Sequence, residues 1–164
     1  MRTLISTGAA VALAVLLAGC GKKEEPVMPQ ASSAPEAAPA ATGPTPAQQK
    51  LLAALPAPYN AADLANGESK FAQCRSCHTI TKGGPNLTGP NLYGVFGTKA
   101  AQVPGFSFSD AMKASGMSWD APTLERWITD PRKVLPDTKM TFLGVKDPKD
   151  RQDIVAYVAV QRDS

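Results

Sequence analysis

The sequence predicts an all-α protein, three to five helices joined by long loops, and three observations carry that expectation. Helix-starting residues recur ahead of apolar stripes at helical spacing, as at Asp120 and Asp147. No run of alternating apolar and polar residues marks a strand. Between Thr79 and Pro104 glycine and proline are so frequent that regular backbone pairing cannot order the segment, and the loops must wrap around something else.

A first helix is predicted over Ala61 to Gln73, where Leu64, the small Gly67 and Phe71 share one face. A second, short one spans Ser109 to about Ala114. The third runs from Ala121 to Thr129, with Asp120 as N-cap, Pro122 in the tolerant first turn, and Leu124, Trp127 and Ile128 as its apolar stripe. It stops short of Pro131, whose ring disfavours helical backbone in the residue before it. The last helix has Asp147 as N-cap and Pro148 at its first position. Asp150 sits in the first turn, where the helix dipole favours an acid, and Ile154, Val155, Tyr157 and Val158 face inward.

The N-terminal third reads differently. Arg2 precedes an apolar run from Ala9 to Ala18 that is well short of the roughly 18–20 residues a bilayer span needs, the pattern of a secretion signal. Leu17-Ala18-Gly19-Cys20 resembles a bacterial lipobox, which implies a lipidated Cys20 as the mature N-terminus. The plainer alternative is an ordinary signal peptide with an incidental cysteine. From Gly21 to Pro58 the composition is almost entirely Ala, Pro, Ser, Gln, Thr and Glu, too poor in large apolar groups to offset the entropy of ordering. It is expected to be a disordered tether, with a fleeting helical turn at Gln48 to Leu55 and an extended reach on the order of 100 Å at about 3.1 Å per residue. The organisation expected is thus a signal over 1–19, a lipidated tether over 20–58 and a folded domain over 59–164.

A formal charge of +3 is too mild for a nucleic-acid binder, which carries a dense basic stripe. Three cysteines, an odd count, argue against a disulfide framework. Two of them stand in Cys74-Arg75-Ser76-Cys77-His78, the c-type haem attachment pattern. Two thiols separated by two residues on a helical turn can each form a thioether with a haem vinyl group, and the adjacent imidazole falls under the iron. A zinc site would want four ligands, yet His78 is the one histidine in the chain. A redox thiol pair would want a strand leading into the motif and a βαβ setting, which the flanks do not suggest. A buried porphyrin also explains how a small glycine-rich domain assembles a core. The iron's sixth position has three sulfur candidates in the folded part, Met112, Met117 and Met140, since Met28 lies in the tether. Met140 sits in a loop after a helix, whereas Met112 reads as core packing and Met117 follows a turn at Gly116.

From Cys74 to Val160 the chain resembles the class I cytochromes c of the mitochondrial and c2 type. The motifs are the CxxCHT start, Lys82-Gly83-Gly84, Thr88 through Gly97, Pro104-Gly105-Phe106, Trp119, and Pro136 through Phe142, in the family's order. The resemblance implies the class I fold around one covalent haem, with His78 and Met140 as axial ligands. It further implies that the Pro90 carbonyl orients His78, that Trp119 and Thr138 donate to a haem propionate, and that Gly67 and Phe71 meet Ile154 and Tyr157 where the first and last helices cross. Five positions depart from the pattern: Thr98 stands for an arginine, Phe108 for a tyrosine, Trp127 for a tyrosine, Met112 for an asparagine and Asp137 for a glycine.

His/Met ligation leaves no open iron position and raises the potential, as in cytochromes c generally, which suits one-electron transfer. The function implied is a lipid-anchored carrier on the periplasmic side of the bacterial inner membrane. It would take electrons from a quinol-cytochrome c reductase type donor and pass them to a terminal oxidase or another acidic-faced acceptor. Two other readings are a haem peroxidase or gas sensor with a labile Met140, and a cytochrome subunit of a periplasmic dehydrogenase. The resemblance places Lys82, Arg132, Lys133 and Lys139 around the haem edge as docking charges. It leaves Asp63, Asp147, Asp150 and Asp153 on the terminal helices, with Lys149 as a silent position.

Overall fold

The computed structural model describes residues 43–163. The expected signal segment, Cys20 and the expected tether as far as residue 42 lie outside the described residues. Among the described residues six α-helices carry the fold: α1 Pro46–Ala53, α2 Leu64–Phe71, α3 Asp110–Ala114, α4 Ala121–Thr129, α5 Pro131–Val134 and α6 Pro148–Ala159. Among the described residues the sole strand-like pairing is one isolated bridge between Lys99 and Ser118.

The frame is the crossing of α2 on α6. A Cβ on Gly67 would lie 2.8 Å from the Tyr157 Cβ, closer than real Cβ atoms approach, so only glycine admits this contact. One turn on, Phe71 is 1% exposed and its ring centroid sits 5.4 Å from that of Tyr157. Beside this apolar contact lies a polar clasp. Asp153, which the sequence places among the outer acidic charges, is 0% exposed. Its carboxylate accepts from the Asp63 backbone N–H at 2.9 Å, Asn66 Nδ2 at 2.8 Å and Lys149 Nζ at 2.6 Å. Helical periodicity places Asp153 within reach of the inner face, but only the approach of α2 takes it out of water. Lys149 therefore has a structural partner in Asp153.

Capping sets the helix boundaries. The first predicted helix starts at Leu64 rather than Ala61, because Asp63 accepts from the N–H groups of Ala65 and Asn66, while Tyr59–Ala61 form a separate 3-10 turn. Asp120 and Asp147 cap α4 and α6 as expected, and Ser109, expected as the first residue of the second helix, is instead the N-cap of α3. The short α5 was not anticipated: Asp130 accepts from Lys133 N and Pro131 opens the helix, so one residue ends α4 and caps the next turn.

A larger correction concerns the tether boundary. Residues expected to be disordered form α1, started by a reciprocal capping box between Thr45 and Gln48. Leu55, just beyond it, is 6% exposed in the core, and Leu51 and Leu52 pack against that core. Buried Tyr59 donates from its hydroxyl to Glu125 of α4 at 2.5 Å, and Glu125 lies 3.6 Å from Arg151 of α6. Burial first, and then this carboxylate, push the Tyr59 phenol well above its ordinary range. Composition reports the alanines and prolines of this segment; it does not report the few large side chains that find a groove.

The glycine-rich loop after α2 is ordered by Asn91. Its amide donates to Thr81 O at 2.9 Å and Gly84 O at 2.7 Å, its Oδ1 accepts from Tyr93 N at 2.6 Å, and its own N–H donates to Asn86 Oδ1 at 2.9 Å.

Candidate functional site

Helix α2 passes through a 3-10 turn, Ala72–Cys74, into the CxxCH motif. The N–H groups of Cys77 and His78 both return to Cys74 O, at 3.1 and 2.9 Å, so the two thiols and the imidazole share one tight turn. Both cysteines are free thiols. They open onto a cavity of about 290 Å³ whose walls are mostly apolar, and His78, Pro90, Trp119, Thr138 and Met140 line the same cavity.

Each of these residues has a local support. His78 Nδ1 lies 2.7 Å from the Pro90 carbonyl oxygen. A carbonyl only accepts, so Nδ1 carries the proton and Nε2 keeps its lone pair. Burial holds His78 below the ordinary histidine range, which keeps the ring neutral and able to bind a metal. Behind the ring, a Cβ on Gly89 would come within 2.7 Å of both imidazole nitrogens, so the loop lies flat against His78 only because residue 89 is glycine. Burial pushes the Cys74 thiol up to about 11, with the Cys77 thiol adding to the effect.

Across the fold, Met140 stands in the segment between α5 and α6. Its backbone N–H donates to Thr138 Oγ1 at 3.2 Å, Thr138 N–H donates to Leu135 O at 3.0 Å, and Val145 N–H donates to Ile128 O at 2.9 Å. Gly144, at φ +86°, packs this segment against Thr129 where a Cβ would not fit. Of the three sulfur candidates, Met112 and Met140 line the cavity; Met117 is absent from its walls. Met112 is 6% exposed within α3. Two aromatic pairs complete the lining, Trp119 with Trp127 at 5.4 Å between centroids and Phe106 with Phe108 at 4.7 Å, both edge-on. Trp127 and Phe108 thus fill their departure positions as packing groups.

Two thiols, a neutral imidazole with a free lone pair and a thioether around one apolar slot suit a flat apolar cofactor that brings its own equatorial ligands. Among the described residues, no group of three or more His, Cys, Asp or Glu side chains is placed to hold a bare metal ion. The Cytochrome c family profile matches residues 64–161. The chain belongs to the cytochrome c family.

It is 45% identical over 103 residues to a cytochrome c2 of Rhodomicrobium vannielii, covering 63% of this chain and 82% of that one. It is 42% identical over 105 residues to the cytochrome c of Kluyveromyces lactis, covering 63% of this chain and 96% of the yeast protein. Among solved structures it is similar to cytochrome cH from Methylobacterium extorquens, with a TM-score of 0.56 and 47% identity over 59% of this chain and 97% of that one. As a class I c-type cytochrome it carries one haem c, bound covalently through Cys74 and Cys77, and it transfers electrons to and from redox partners rather than catalysing a reaction. Helix α1 and the Tyr59 turn precede the matched residues.

The expected docking charges are placed unevenly. Arg132 and Lys133 lie on α5, with Lys133 Nζ 3.3 Å from Asp130. Lys139 lines the cavity and donates to Ser107 O at 3.0 Å. Lys82 instead pairs with Asp163 at 2.8 Å, an acid that also accepts from the Tyr93 hydroxyl. Lys146 was not singled out from the sequence. Its ammonium donates to Leu143 O at 2.8 Å, and its charge adds to the Lys133 N–H and the Lys133 ammonium in holding the Asp130 carboxyl low. Gly89, Asn86 and Asn91 were missed as supports of the site, although the run Thr88-Gly89-Pro90-Asn91 already pairs a glycine with the carbonyl behind the histidine.

Proposed function

We propose that this cytochrome is a lipid-anchored one-electron carrier at the periplasmic face of the bacterial inner membrane, linking a quinol-oxidising complex to a terminal oxidase or similar acidic-faced acceptor. The observation that carries the reading is that Cys74, Cys77, His78, Pro90, Trp119, Thr138 and Met140 line one cavity. When bound, the haem supplies a reversible one-electron iron couple. The chain does the rest. Cys74 and Cys77 hold the cofactor permanently, His78 offers Nε2 while Pro90 keeps its other nitrogen protonated, and Met140 offers a thioether from a braced loop. With His78 and Met140 both engaged, the group would have no position left for oxygen or substrate, and the apolar lining would keep reorganisation of water small.

Lipidation at Cys20 is tested by Cys20→Ser. The variant is expected to be exported with full haem content but to appear in the soluble fraction, because it lacks the acyl chains that give stable attachment. Washed membranes from the variant then show no haem c reduction on adding a quinol, whereas wild-type membranes do. Equal distribution of the two proteins after gentle lysis removes the anchored reading.

The docking reading makes a separate prediction. Reversing Lys133 and Lys139 together is expected to slow electron transfer to the oxidase at low salt and flatten its salt dependence, as the screening length falls from about 30 Å at 0.01 M to about 10 Å at 0.1 M. Lys50, exposed on α1, serves as the control. An unchanged rate with an intact spectrum places docking on another surface.

A further inference from the structure

The segment that offers Met140 is held at its far end by one side chain of α6. Arg151 Nη1 donates to Val145 O at 3.1 Å and to Lys146 O at 2.8 Å, while the Val145 N–H is engaged with Ile128 O. The other edge of the guanidinium faces an acid. Arg151 Nε is buried without a hydrogen-bond acceptor among the described residues, and Glu125 Oε1 of α4 lies 3.6 Å from it. A cationic edge taken out of water needs a negative charge to balance it, so Glu125 fixes the direction in which Arg151 points. Glu125 is held in turn through its other oxygen, where Oε2 accepts from the Tyr59 hydroxyl at 2.5 Å. Tyr59 is 5% exposed, comes from ahead of the residues matched to the family, and is set in place by its own N–H, which donates to Pro56 O at 3.0 Å. Tyr59, Glu125 and Arg151 are not among the residues that line the haem cavity.

We propose that Tyr59, Glu125 and Arg151 are positioning residues for the sixth ligand, a relay by which the segment ahead of α2 braces the loop that offers Met140. The contacts run from the Tyr59 hydroxyl to the Glu125 carboxylate, to the Arg151 guanidinium, and on to the Val145 and Lys146 carbonyls at the end of that loop. The brace matters because a thioether is a neutral donor, which an added nitrogen base can replace once the backbone lets it move away. An external ligand binds only the molecules in which the loop has moved, so its apparent affinity reads their fraction. This inference deepens the carrier reading and rests on Met140 as the sixth ligand, not on the anchor or the partners.

The test is made on the oxidised holo protein, with imidazole added and the methionine-to-iron band followed as it is displaced. Tyr59→Phe, which removes only the hydroxyl oxygen, is expected to tighten imidazole binding about threefold, and Glu125→Ala and Arg151→Ala about tenfold each. In the Glu125→Ala background Tyr59→Phe is expected to add nothing further, because Tyr59 acts through that carboxylate. Asp153→Ala, which loosens the contact of α2 with α6 elsewhere, is expected to leave imidazole affinity as in wild type, so loss of stability alone does not move this readout. Imidazole affinity unchanged in Tyr59→Phe and Glu125→Ala, or raised equally in Asp153→Ala, overturns the inference. Tyr59→Phe keeps it testable if Arg151→Ala fails to take up haem. Failure of the Met140 reading registers separately, as a band that survives Met140→Ala, whereas failure of the relay alone leaves that band dependent on Met140.

Discussion

Met140→Ala is expected to retain covalent haem through Cys74 and Cys77, lose the methionine-to-iron charge-transfer band and fall in potential. The reason is the softness of the thioether, which favours Fe(II); an oxygen or nitrogen donor taking its place favours Fe(III). A drop on the order of 100 mV or more is expected, each 59 mV being a tenfold preference for the oxidised form. Met117→Leu is expected to keep the band, since Met117 does not line the cavity. Met112→Leu is the sharper comparison, because Met112 lines the cavity from α3 and differs from Met140 in being 6% exposed within a helix. Persistence of the band in Met140→Ala together with its loss in Met112→Leu would transfer the ligand role to Met112. The measurements are a visible spectrum of the oxidised protein and a potentiometric titration.

Asp153→Ala is expected to be among the most destabilising single changes outside the haem cavity. The carboxylate is 0% exposed and gathers the Asp63 N–H, the Asn66 amide and the Lys149 ammonium, which together hold the start of α2 against α6. Hydrogen bonds to a charged group contribute about 1.5–3 kcal/mol, and losing the acceptor leaves the Asp63 N–H without its partner and the Asn66 amide with Asp150 alone. A loss of about 3 kcal/mol and a fall in Tm on the order of 10 °C are expected, read by thermal unfolding of the holo protein. The potential and the charge-transfer band are expected to hold, since Asp153 does not line the cavity. Lys149→Glu is expected to destabilise in the same direction by setting a second acid against a buried one. A Tm within a degree or two of wild type in Asp153→Ala would mean that the clasp is replaced by water at little cost.

The parts of this protein that were legible in its sequence share a physical property: each depends on residues close together in the chain. The CxxCH turn needs only local spacing, and the caps at Asp120 and Asp147 need only a side chain that reaches the backbone three residues on. The helical stripes of α4 and α6 follow from periodicity. So the sequence by itself determined the cofactor, the all-α class and most helix starts. What only the tertiary structure decided depends on groups distant in the chain. Asp153 is buried because α2 arrives 90 residues earlier in sequence to cover it. Leu55 and Tyr59 join the core because α4 and α6 offer a groove and a carboxylate to a segment whose composition reads as a tether. Glycine 89 serves the site because the His78 ring lies against it. Local chemistry reports what a residue can do; burial, and therefore the energy at stake, is set by what the rest of the chain brings to it.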